Sequence, residues 1–170
     1  CWLLLAYIYT GQARRAHKIL KMLNPANHAS TRAGADLYRV EPYVLAADVY
    51  GEAPHAGRGG WTWYTGAAGW YALCVLAMLG YERRGDEVRL CALLGDWPEA
   101  SVTIRYGNSE YRLVCRASAR GITLDGAPVL GDTIHLSDDG RAHEAVFPPR
   151  ETHENASRIA NDNISNTFFR

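Results

Sequence analysis

Arg58-Gly59-Gly60-Trp61-Thr62-Trp63-Tyr64-Thr65-Gly66-Ala67-Ala68-Gly69-Trp70-Tyr71 runs straight into an apolar segment over residues 72–79. Three aromatic residues precede the Thr65-Gly66 pair and two follow it, so a loop stiffened by large rings delivers a hydroxyl and bare backbone to a helix start. The first N–H groups of a helix have no intrahelical partner and lie at the positive end of its dipole. Thr65 can cap that end and still present its hydroxyl, while Gly66 lets a ligand approach the main chain closely. Such an end suits an anion. On local grounds a Thr-Gly pair at a helix start is more often plain capping than a binding site; the aromatic density shifts the balance toward binding, because Trp and Tyr combine flat apolar faces with polar tips that match a sugar.

Upstream of this stretch the pattern is helical. Residues 2–9 read as the end of a buried helix stopped by Thr10-Gly11, and residues 12–23 place Ala13, Ala16, Ile19, Leu20 and Leu23 on one face, ended by Asn24-Pro25. His17 on this second helix has no partner at metal-ligand spacing and reads as a surface or edge residue. Residues 24–36 read as a polar connection. Pro42 fits the first turn of a further helix over residues 38–49, with Glu41 at its positive end. Glu41 is also a candidate for sugar hydroxyls, because Tyr38 and Tyr43 flank it and the central loop follows. Residues 51–60 form a Gly-rich loop carrying His55 and Arg58. The helix over 65–79 is apolar nearly all round and too short to span a bilayer, so it calls for neighbours on every side. Trp70 and Tyr71 on it read as core, and Trp97 as an anchor between the two halves of the chain.

Downstream of Gly80 the period changes to two. Residues 87–90, 101–106, 110–116, 122–124, 133–136 and 144–147 are short β-type runs separated by Gly, Asn and Asp turn signals. They predict an antiparallel β unit. The last twenty residues, 151–170, are polar and aperiodic and read as a disordered tail.

Eighteen basic residues balance eighteen acidic ones and no basic run is interleaved with aromatics, which argues against nucleic acid as a partner. The four cysteines match no metal spacing and read as buried thiols of a reducing compartment, and the apolar opening lacks the form of a signal peptide.

Several strings carry a resemblance: Asn24-Pro-Ala-Asn-His28, Tyr38-Arg-Val-Glu-Pro-Tyr-Val44, Ala46-Ala-Asp-Val-Tyr50 and Gly59-Gly-Trp-Thr-Trp-Tyr-Thr-Gly66. With Leu79-Gly-Tyr81, Asp96-Trp-Pro98, Arg105-Tyr-Gly107 and Leu136-Ser-Asp-Asp-Gly140, the chain resembles, from about Cys1 to Phe147, the C-terminal part of the phosphorylase domain of cyclic β-1,2-glucan synthases. The wider family is that of inverting β-glucoside phosphorylases acting on cellobiose, chitobiose and β-1,2-oligoglucans. The resemblance implies an α+β fold: the last helices of an (α/α)6 barrel with the phosphate loop over 1–80, then an antiparallel β-sandwich over 81–150.

It further implies phosphate at Thr65 and Gly66, substrate contacts at Glu41, Tyr43, Trp63 and Tyr64, and no catalytic acid in this chain. No cofactor or metal is implied beyond inorganic phosphate as co-substrate. The implied partners are a β-glucan oligosaccharide, the upstream barrel of the same parent and a second copy in a homodimer. The implied location is the cytoplasm, or the cytoplasmic side of an inner membrane. His55 and Arg58 do not correspond to the family's phosphate ligands, and Ala47 stands where disaccharide-specific relatives would carry a glutamine. Two other readings stay open: a non-catalytic carbohydrate-binding or scaffold piece, and a related barrel hydrolase, which would need a second carboxylate about 6.5–9.5 Å from the first. A barrel cut short would also expose Leu73, Val75, Leu76 and Leu79.

Overall fold

The structure, a computed structural model, describes residues 1–62 and 65–150. The tail over 151–170 lies outside the described residues. Among the described residues five helices precede eight strands: α1 (Trp2–Tyr9), α2 (Ala13–Leu23), α3 (Pro25–His28), α4 (Arg32–Tyr38), α5 (Thr65–Leu79), β1 (Tyr81–Arg84), β2 (Glu87–Leu90), β3 (Glu99–Tyr106), β4 (Ser109–Arg116), β5 (Ile122–Leu124), β6 (Ala127–Val129), β7 (Ile134–His135) and β8 (Ala142–Phe147). The chain is therefore α+β, with its helices before its sheets. No helix among the described residues is long and apolar enough to cross a membrane.

α1 and α2 form a tight hairpin. The Thr10 hydroxyl donates to the Ala6 carbonyl, and Gly11 takes φ 68°, which lets its own N–H reach Ile8 and that of Gln12 reach Tyr7. Leu4 and Ile8, one turn apart, meet Ala13 and Ala16 of α2 and Cys74 and Met78 of α5 in a first core. α5 has far fewer neighbours than its composition calls for: Cys74 and Met78 are buried, but Leu73 and Leu76 stay 55% and 45% exposed. Val75 and Leu79 are partly covered, while Trp70, expected in the core, is exposed against the Trp2 ring at 4.7 Å.

Two expectations for the middle of the chain are overturned. The connection over 24–36 contains α3 and most of α4, each opened by a side-chain cap: Asn24 Oδ1 accepts from the Ala26 N–H and Thr31 Oγ1 from the Gly34 N–H. The helix expected over 38–49 does not form. Arg39 closes α4 in the left-handed region at φ 54°, and Pro42 sits in a turn. The N–H groups of Ala47 and Tyr50 then donate to the carbonyls of Trp61 and Arg58 across the chain rather than to a preceding helical turn. Non-local pairing has overridden a local start signal.

The strands form a three-stranded sheet of order β1-β2-β7 and a five-stranded sheet of order β3-β4-β8-β5-β6. Val88, Leu90 and Ile134 of the first sheet and Tyr111, Leu113, Cys115, Ile122, Ala145 and Phe147 of the second share one core. The expectation of wholly antiparallel pairing fails at one ladder, since β4 and β8 run parallel from Glu110↔Ala142 to Cys115↔Phe147. Burial pushes the Cys115 thiol up to about 11, which keeps it protonated and inert.

The linker between β2 and β3 joins the two cores by simple alternation. Ala92 and Leu94 point into the β core while Leu93 points into the helical one. Its backbone is tied on both sides: the Leu93 N–H donates to Met78, the Cys91 N–H to Gly80, and Ala92 accepts from the Arg150 N–H. His17 lies 2.8 Å from the Leu93 carbonyl and packs at 85° against Trp97, giving both residues a structural role at this junction.

Candidate functional site

The Gly59-Gly60-Trp61 segment rests on a stack assembled from three of the sequence motifs. His28, held through Nε2 at 2.7 Å from the Met22 carbonyl, stacks on Tyr38 with ring centroids 4.7 Å apart. Tyr38 is 2% exposed; its carbonyl accepts the Gly59 N–H, and its hydroxyl receives the Ala46 N–H at 3.3 Å. A Cβ on Gly59 would collide with Val40, so only glycine brings the chain this close.

Asp48 fixes the next two residues. Its carbonyl accepts the Gly60 N–H and its Oδ1 the Trp61 N–H, both at 2.9 Å, and a Cβ on Gly60 would strike this carboxylate. Val49 and Gly59 form a β-bridge, and Ala47 N–H to Trp61 carbonyl completes a short two-stranded clamp. In the sequence Asp48 stands only as one member of the Ala46-Ala-Asp-Val-Tyr50 string. The Gly-Gly pair was the available signal that something packs against that backbone, but nothing local says what.

Ala47, Asp48, Tyr50 and Trp61 line an open cleft of about 400 Å³ beside the clamp. Trp61 is 72% exposed there, and Asp48 keeps Oδ2 free of any hydrogen bond among the described residues. A flat indole with a carboxylate oxygen beside it fits the face and hydroxyls of a sugar ring. Replacing Asp48 with Ala removes the Trp61 acceptor, worth about 1–1.5 kcal/mol. Amide exchange at Trp61 should then accelerate by roughly tenfold while that of β4 stays unchanged. Unaltered exchange at Trp61 would show that the carboxylate does not hold the loop.

The expected site residues divide into three groups. Thr65 and Gly66 do open α5, a few residues beyond the clamped segment. Glu41 is half-buried and Tyr43 is 75% exposed in the turn over 41–44, where the Glu41 carbonyl accepts the Val44 N–H, so Glu41 stands in a turn and not at a helix start. Trp63, Tyr64 and the Thr65 side chain lie outside the described residues. His55 and Arg58 line a separate hollow of about 100 Å³ with Asp36 and Arg39. No group of three or more metal-ligating side chains occurs among the described residues.

Two of the other motifs meet in the β half. Ser109, fully buried, donates to Asp139 Oδ1 and accepts the N–H groups of Asp139 and Gly140, while Asp138 Oδ1 accepts the Asn108 N–H. His143, stacked on Tyr111, lies 2.7 Å from Asp125 and 3.0 Å from Asp139. The hydrogen bonds to these two carboxylates raise its pKa, and the same bonds hold Asp139 down at about 2 and Asp125 below its ordinary range. These motifs build the sheet rather than a ligand site.

With this geometry in place, similarity to known proteins adds the chemistry. Residues 1–80 match the family model described as the glycosyl hydrolase 94 superfamily, catalytic domain. Over 148 residues the chain is 41% identical to a cyclic β-(1,2)-glucan synthase, NdvB, of Rhizobium meliloti (strain 1021); the match covers 86% of this chain but 5% of that relative. The helical half with its clamped Gly-Gly-Trp loop, residues 1–80, is thus the part of the chain that matches the catalytic domain of the glycosyl hydrolase 94 superfamily.

Proposed function

We propose that this chain is a segment of a carbohydrate-active enzyme whose parent cleaves or forms β-glucosidic bonds by inverting phosphorolysis, or builds cyclic β-1,2-glucan and controls its chain length. The observation that carries this reading is the clamp of Asp48 on Gly60 and Trp61, which fixes the chain just ahead of the α5 start within the family-matched region. In the complete protein, α1 to α5 are the last helices of an (α/α)6 barrel and the two sheets are the sandwich that follows it.

Inorganic phosphate is the co-substrate, held at Thr65 and Gly66 by the hydroxyl and the free N–H groups of the helix start. Glu41, Tyr43, Trp63 and Tyr64 contact the glucan. Phosphate oxygen attacks the anomeric carbon from the face opposite the leaving sugar, the glycosidic C–O bond breaks, and a carboxylic acid delivers its proton to the departing oxygen. That acid is supplied by a part of the parent outside this chain, so the segment alone is inactive. The parent acts in the cytoplasm or on the cytoplasmic face of an inner membrane, with a second copy as partner.

The test is sugar phosphate formation by the complete protein on β-1,2-gluco-oligosaccharides and cellobiose as phosphate is varied. Thr65→Val should raise the KM for phosphate about 10- to 100-fold, the worth of one hydrogen bond to a charged group, and leave glucan affinity nearly unchanged. Cleavage that proceeds equally without phosphate would make the parent a hydrolase. Glycan binding without any cleavage would make this half a binding scaffold.

A further inference from the structure

A second cleft, of about 540 Å³, opens between α2, α3, α5 and the inter-sheet linker and shares no residue with the clamped loop. Its lining includes Trp97, Tyr71, Lys18, Lys21, Asn24 and Asn27, and this volume lies within the ~300–1,000 Å³ typical of small-molecule sites. Trp97 remains 45% exposed although its ring already packs on His17. An aromatic ring that packing has used and still left open to a polar cleft is available as a platform.

The polar groups around it have spare capacity. Asn24 spends Oδ1 on the α3 cap and Asn27 spends one Nδ2 hydrogen on the Lys21 carbonyl, which leaves the Asn24 amide NH2 as a donor and the Asn27 amide oxygen as an acceptor. Among the described residues the Lys18 and Lys21 ammonium groups make no ion pair, and neither the Tyr71 hydroxyl nor the Trp97 indole N–H has a protein partner. No carboxylate lines the cleft among the described residues. Burial raises the Tyr71 pKa, so its hydroxyl keeps its proton and remains a donor. A lining rich in donors around one flat ring selects a ligand rich in acceptor oxygens with a flat apolar face, which describes a sugar chain.

We propose that this cleft is a non-catalytic binding site for a stretch of glucan chain, with Trp97 as its platform and Lys18, Lys21, Asn24 and Tyr71 directed at hydroxyl and ring oxygens. The proposal rests on the carbohydrate-active reading above but not on phosphate as co-substrate. Its function is to hold long chains near the enzyme, so it affects long substrates and spares short ones.

The test uses the complete protein in three forms: unaltered, Lys18→Ala with Lys21→Ala, and Trp97→Phe, which keeps an aromatic ring against His17. Binding of β-1,2-glucan oligosaccharides, long and disaccharide, is followed by calorimetry, with inorganic phosphate alone as a control, beside turnover of each length. The lysine variant should bind the long glucan about tenfold more weakly, equivalent to about 1.4 kcal/mol, and the Trp97→Phe variant several-fold more weakly. Turnover of the disaccharide should be unchanged. Undiminished long-glucan binding, an equal loss for long and short chains, or a lysine effect confined to inorganic phosphate would each overturn the proposal. If no sugar phosphate forms yet the lysine variant still loses long-glucan affinity, the phosphorolysis reading fails and this site stands.

Discussion

Gly80→Ala is expected to destabilise the fold by about 2–5 kcal/mol, combining about 1–2 kcal/mol for a left-handed alanine with about 1–3 kcal/mol for forced backbone movement. Gly80 takes φ +57° between α5 and β1, and a Cβ there would strike the Cys91 carbonyl, the group next to the bonds that tie the linker to α5. Backbone cannot rotate away as a side chain can. For a chain of this length the loss corresponds to a fall in Tm of roughly 5–15 °C. Gly85, at φ +64° in the β1–β2 turn, has nothing within 4 Å of such a Cβ, so Gly85→Ala carries the strain without the collision. Thermal melting of the two variants side by side separates the contributions. Equal shifts would show that the Cys91 contact costs nothing.

The second large effect belongs to the clasp around Ser109 and His143. Ser109→Ala strands the Asp139 and Gly140 N–H groups on a buried position and should cost about 2–3 kcal/mol. The same clasp makes stability depend on pH. His143 has its pKa raised above 6.5, so its contribution is full below that value and is lost as pH rises through the raised one. Asp139 and Asp125 have theirs lowered from 3.8, so their contribution is present above that value and lost as pH falls, for Asp139 through about 2. The clasp is therefore strongest between about pH 4 and 6.5. Urea midpoints measured from pH 5 to 9 should decline in the unaltered protein and flatten in His143→Gln, which cannot acquire the charge. A parallel decline in both would assign the pH dependence to other groups.

Periodicity was a reliable guide where one face of an element meets one core. Ala13, Ala16, Ile19, Leu20 and Leu23 marked α2, and the β-type run over 110–116 marked β4, whose Tyr111, Leu113 and Cys115 enter the β core, because burial imprints its period on the residues. β1 escaped notice because Tyr81 is the only apolar residue in Tyr-Glu-Arg-Arg, and β6 because Pro128 reads as a breaker although an edge strand tolerates it. Pro42 misled in the opposite direction, since its local signal was sound but the N–H groups of Ala47 and Tyr50 after it found the carbonyls of Trp61 and Arg58 on the far side of the loop. At the site, Gly59-Gly60-Trp61 announced a close backbone approach; that Tyr38 and Asp48 are what it approaches depends on long-range geometry. The motif strings at Tyr106-Gly107 and Ser137 to Gly140 were legible as turns, and only the fold shows that one is the other's socket.

The parallel ladder between β4 and β8 bears on the order in which the molecule is made. β8 is the last strand among the described residues yet the middle one of its sheet, with β4 on one edge and β5 on the other. The β3–β4 and β5–β6 hairpins close over short loops and can assemble as soon as they emerge, while their joining awaits residues 142–147. Until then two facing edges stand unpaired, each a template for a stray strand. During synthesis this half is therefore most prone to aggregate just before Phe147 leaves the ribosome, and a slow stretch of translation placed after β8 would protect it better than one placed before.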